Sequence, residues 1–166
     1  MRFLEQAQIA AGILPSDLAS GDQTGDWVSV EQYNRVAVVF FKDGGTAGED
    51  PTLVIQEATD AAGSGAKNLS FTTIYRKQGS DLFSVGQWTE TTQSAQGEYT
   101  NATSAEEECI WVIEFDAADL DTDNGFKFIR ANIDDIGTNS QLGCVLYILS
   151  EPRYADSPAN MAGVLS

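Results

Sequence analysis

Apolar residues along this chain cluster in short runs broken by glycine, proline and acidic residues, the spacing of an all-β protein. Residues 35–41 read RVAVVFF. Val36, Val38 and Phe40 point one way while Ala37, Val39 and Phe41 point the other, so the run predicts a strand covered on both sides. Residues 109–115 (CIWVIEF) repeat that pattern, and residues 143–149 (GCVLYIL) form the last core strand. β-Branched and aromatic content marks further strands at 27–30, 52–56, 69–75, 82–89 and 126–133.

Residues 3–14 carry a different period. Leu4, Ala7, Ala11 and Leu14 fall on one stripe at spacings of three and four, Pro15 stops it, and the pattern predicts a helix. Such a helix docks either on its own domain or on a neighbouring subunit. Glu5, Gln6 and Gln8 interrupt any signal-peptide core, so the segment reads as mature structure. Residues 58–66 read as a turn or short helix. Residues 89–108 are polar throughout and predict a long surface loop or protruding hairpin. Residues 152–166 hold two prolines and little periodicity, and read as an extended arm. The expected fold is mainly β: an antiparallel β-sandwich or barrel of about seven or eight strands with a short N-terminal helix and an extended C-terminal arm. It forms one domain over 1–166, with a helical arm at 1–20, a β core at 21–151 and the C-terminal arm at 152–166.

Charge narrows function by exclusion. The 166 residues include 25 acidic against 9 basic side chains, a net charge of −16, and no histidine. Without histidine the usual neutral-pH acid–base group is missing, and a surface this negative repels nucleic acid and anionic lipid. No apolar run approaches the roughly 20 residues that span a bilayer. Cys109 and Cys144 lie in expected strands, where two buried free thiols outrank a disulfide, although neighbouring strands would allow one.

Asp119, Asp121 and Asp123 have the alternate spacing of a calcium loop, but Asn124 stands where glycine belongs and Arg130 where the bidentate glutamate belongs. A solvated turn with Asx side chains bonding their own backbone is the better reading. Glu106–Glu108 reads as a solvated edge that discourages strand pairing. No P-loop or dinucleotide fingerprint is present, and no catalytic residue, cofactor or metal is assigned.

Two stretches, GDWVSVEQYNRVAVVFFKDGGTAGEDPTLVIQEATDAAGSGAKNLSF at 25–71 and FDAADLDTDNGFKFIRANIDDIGTNSQLGCVLYILSEPRY at 115–154, resemble a small structural protein of tailed bacteriophages and prophages. Together they cover about half the chain. The resemblance implies a virion part, foremost a capsid decoration (cement) protein made in the host cytoplasm. Such a protein sits on the capsid exterior, often as a homotrimer, and clamps neighbouring major capsid protein subunits. It implies no catalytic residues.

An extended terminus that orders on binding makes an economical clamp. The apolar and aromatic anchors expected at the partner are Phe3, Leu4, Ile9, Ile13, Tyr154, Met161 and Leu165, with Arg153 beside them, each weighed against ordinary intrachain packing. On that view, removing 1–14 or 154–166 leaves the β core folded. A head–tail or tail component is the second reading. A secreted carbohydrate-binding module or carboxylate glycosidase domain using Trp27, Trp88 or Trp111 is the third.

Overall fold

The computed structural model describes residues 2–165. Its strands are β1 (Ala7–Asp17), β2 (Gln23–Thr24), β3 (Val28–Ser29), β4 (Tyr33–Lys42), β5 (Thr52–Ala58), β6 (Lys67–Asn68), β7 (Phe71–Gly79), β8 (Thr89–Gln96), β9 (Glu98–Thr100), β10 (Glu108–Asp116), β11 (Phe128–Ile133) and β12 (Leu142–Pro152). Two antiparallel sheets of six strands result, the first in the order β1-β12-β4-β10-β7-β8. The second runs β2-β11-β5-β6, with β3 also on β11 and β9 also on β5. The architecture is the expected β-sandwich, with more strands than the sequence pattern counts.

The connectivity has a definite form. When β2 and β3 are taken as one interrupted strand and β6–β8 as an insertion, the remaining strands order first-eighth-third-sixth in one sheet. They order second-seventh-fourth-fifth in the other, which is the strand order of a jelly roll. The core lies between the sheets. Val36, Val38 and Phe40, together with Trp111, Ile113, Val145, Tyr147 and Leu149, face Leu53, Ile55, Ile129 and Ile133 in one continuous cluster. Trp111 anchors it, with its ring 5.2 Å from Phe40 and 4.8 Å from Tyr99.

The helix expected over residues 3–14 does not form. A single 3-10 turn, Phe3–Glu5, leads into β1, which pairs with β12 from Ala7↔Ser150 to Asp17↔Leu142. Of the expected stripe only Ala7 is buried, while Leu4, Ala11 and Leu14 are exposed, because a β-bulge sets the inward positions. Ala10 faces inward opposite Tyr147, Gly12 is inserted, and Ile13 faces inward again opposite Val145. The inward positions Ala10 and Ile13 lie outside the expected stripe. Glycine is required at the insertion because a Cβ there would lie 2.7 Å from the Tyr147 ring. Residues 7–17 are therefore an edge strand of the sandwich, and removing 1–14 takes out most of that strand.

Two further expectations change. Residues 82–89 are not a strand: Leu82–Ser84 is a 3-10 turn capped by the Asp81 carboxylate, and Phe83 is fully exposed. The polar segment 89–108 is not simply a loop. It supplies β8, an edge strand whose solvated sides need no apolar residue, and β9, whose Tyr99 reaches the core. The turn after β9 is tied down by Lys42. This buried ammonium at the end of β4 donates to the carbonyls of Ser104, Ala105 and Glu107. Burial lowers the Lys42 pKa.

Candidate functional site

The terminal anchors separate into two groups. Phe3, Leu4, Tyr154 and Leu165 project into solvent, Tyr154 with 81% of its surface free, and Ile9 stands on the outward side of β1. Arg153 is exposed, its N–H donating to the Gln32 carbonyl at 2.9 Å. Ile13 and Met161, at 6% and 8% exposure, belong to the chain's own core and are not surface anchors. The bulge turns Ile13 inward. Met161 is held because the C-terminal segment docks on the sandwich: Tyr33 Oη donates to the Ala162 carbonyl at 2.8 Å, and the Ser29 N–H donates to the Val164 carbonyl at 2.8 Å.

Both terminal segments border β1. Phe3, Gln6 and Ala7 line one hollow with Ser150, Glu151, Pro152 and Ala155. An open groove of about 610 Å³ separates Ile9 and Leu14 from Gly163, Val164 and Leu165. The exposed terminal side chains are thereby mounted beside a rigid sheet edge instead of trailing from it.

The outward faces of the two sheets differ in chemistry. On the second sheet the exposed rows are polar: the Gln56 amide oxygen accepts from Arg130 Nε and Asn132 Nδ2, both at 2.9 Å. At its other end Trp27 covers Ala58 and Phe128, with the Arg130 guanidinium 4.6 Å from the indole centroid. On the first sheet the outward rows are apolar, and Ile9, Phe41 and Leu146 stay between 42% and 49% exposed. The run RVAVVFF predicted a cover on both sides; within the chain only one side is covered. Phe41 and Leu146 are missing from the sequence-derived anchors for that reason, although two-sided apolarity was itself the signal.

Other candidate chemistry resolves into structure. Asp121 is engaged by Lys67 and by Asn124 Nδ2, and Asp119 accepts from the Asp116 N–H at 2.8 Å. No group of three or more His, Cys, Asp or Glu among the described residues is placed to hold a metal ion. Glu107 accepts from Gln78 Nε2 and Glu108 from the Leu82 N–H, both at 2.8 Å, so two of the three consecutive glutamates tie β10 to β7 and the turn after it, and β10, paired on both sides, is not the edge the charge run predicts.

Cys109 and Cys144 are free thiols on strands separated by β4, opposite Lys42 and Phe41 respectively. Two strand spacings, about 9.6 Å, exceed the reach of a disulfide. Burial pushes the Cys109 thiol up to about 12. Trp111 and Trp27 are buried, which leaves Trp88, half exposed under Lys77, without a second exposed indole to form a sugar platform.

No family model matches the chain, and neither does any curated protein or solved structure.

Proposed function

We propose that this chain is a non-enzymatic structural virion protein. In this reading it binds the outer surface of a phage capsid, clamps neighbouring major capsid protein subunits, and assembles with itself as a homotrimer. The observation that carries the reading is the set of exposed apolar side chains at both termini, Phe3, Leu4, Tyr154 and Leu165, of which Phe3 and Leu165 line hollows beside the β1 edge of the sandwich. Apolar groups held in water by a stiff scaffold lose little further entropy when they are buried by a partner, which is what a clamp requires. Jelly-roll strand order also occurs in viral capsid domains, although it is shared with lectins and cupins and supports the reading by analogy alone.

The test is occupancy on particles that lack the chain, read by cosedimentation and by cryo-EM density. Wild type binds the outer shell. A Phe3→Ser/Leu4→Ser variant, which alters only the turn before β1, loses about tenfold or more in affinity through the lost apolar burial. Wild type that leaves the shells bare refutes the reading. Terminal variants, including Tyr154→Ser and Leu165→Ser, that all bind like wild type refute the clamp.

A further inference from the structure

The outward face of the first sheet is organised in rows that follow the strand register. One row is Ile9, Ile148, Ala37 and Glu114; the next is Ala11, Leu146, Val39, Val112 and Tyr75; the third is Cys144, Phe41, Ile110 and Lys77. The charges of these rows, Glu114, Lys77 and, opposite Tyr75 on β8, Glu90, stand toward one side, and the centre is entirely apolar. In an antiparallel sandwich the solvated side ordinarily alternates to polar residues, as it does here on the second sheet.

Three rows about 6.8 Å apart across five strands about 4.8 Å apart make a face of roughly 500 Å². That lies at the upper end of what a monomer ordinarily exposes. Two copies meeting here would remove about 1,000 Å² from water, the threshold for a specific interface.

The charge of the chain selects the occupant. Copies carrying −16 each repel wherever carboxylates meet. The apolar centre of this face brings none together, and in the adjoining row, where Arg35 stands opposite Ser150 and Asp116, Arg35 already pairs with Asp116 at 3.1 Å and Glu151 at 3.6 Å within its own chain. We infer that the outward face of β1, β12, β4, β10 and β7 is the surface through which copies of this chain assemble. The inference rests on the reading that the protein self-associates. It adds which surface does so, and that salt strengthens the contact by screening the rest of the molecule.

Sedimentation velocity from 1 to 100 µM in 0.02, 0.15 and 0.5 M NaCl tests it on the full chain. Wild type is expected to form a discrete oligomer that tightens with salt. Leu146→Asp and the milder Phe41→Ser each weaken it at least thirtyfold while keeping the wild-type circular dichroism and urea midpoint. Val54→Asp, on the outward face of the second sheet, leaves it unchanged. A wild type that stays monomeric at 100 µM in 0.5 M NaCl overturns the inference. So does an oligomer indifferent to both face variants, or one that loosens with salt. A monomer that still decorates capsids overturns this inference and spares the virion reading; an oligomer that never binds a capsid does the reverse.

Discussion

Replacing Tyr147 by Phe removes one oxygen from the middle of the sandwich and leaves the buried Ala131 N–H without a partner. Tyr147 rises from β12 in the first sheet, and its hydroxyl accepts from the Ala131 N–H of β11 in the second at 2.7 Å. It also donates to the Asp26 carbonyl at 3.2 Å. The side chain is fully buried. The orphaned Ala131 N–H costs about 1–3 kcal/mol and the lost bond to the solvent-accessible Asp26 about 1 kcal/mol, so the substitution should destabilise by about 2–4 kcal/mol. In a chain of 166 residues that lowers Tm by roughly 5–12 °C.

Urea unfolding at pH 7 reads the difference through the midpoint, with an unchanged slope confirming that the same surface is exposed. Tyr33→Phe, which loses the single bond to Ala162, serves as the comparison and should cost about 1 kcal/mol. Burial raises the Tyr147 phenol above the ordinary tyrosine value of 10.0, so its stabilisation is complete below pH 10 and is lost as pH rises further. The gap between wild type and Tyr147→Phe should therefore narrow above pH 10. A Tyr147→Phe protein within 0.5 kcal/mol of wild type, or one more stable than Tyr33→Phe, refutes the inter-sheet bond as a support.

The Glu49 carboxylate accepts the N–H groups of Thr138 and Asn139, and the first of these leads in lowering its pKa. That contribution is present above the unfolded pKa and lost as pH falls through the folded one, so between pH 5 and 3 the urea midpoint should fall more steeply for wild type than for Glu49→Gln; parallel slopes refute it. In 0.02 M NaCl at 1 µM, where association through the outward face is weakest, Cys144 should react with a maleimide before the buried Cys109, and mass spectrometry of the folded protein reads the order. Met161→Ala should cost about 2–3 kcal/mol because the side chain is part of the core, against no measurable loss for Leu165→Ala. Equal stabilities of the two would mean that the C-terminal segment does not dock.

The core strands were legible because their apolar residues are continuous. Residues 35–41, 109–115 and 143–149 fall inside β4, β10 and β12, which lie adjacent at the centre of one sheet. Three things were hidden. The spacing of Leu4, Ala7, Ala11 and Leu14 reads as a helical stripe, whereas the strand buries Ala10 and Ile13 across a bulge that no local pattern announces. An edge strand such as β8 carries no apolar signature because both its faces meet water. The docking of Met161 depends on a tyrosine far away in sequence, Tyr33, and no local pattern records that pairing. The exposed terminal anchors were legible as residues, whereas the apolar sheet face was legible only as a strand type whose second cover was assumed.

The lysine buried at the end of β4 has a consequence for salinity. Arg35, Lys67 and Lys127 of this acidic chain pair with carboxylates, as Arg35 does with Asp116 and Lys127 with Glu31 at the surface. Mobile ions weaken such attractions, which are small to begin with. Lys42 instead grips uncharged carbonyl dipoles in a place that solvent ions do not enter. The fastening between the central strand and the turn at residues 101–107 should therefore hold equally in dilute buffer and in brine, while the surface pairs around it loosen.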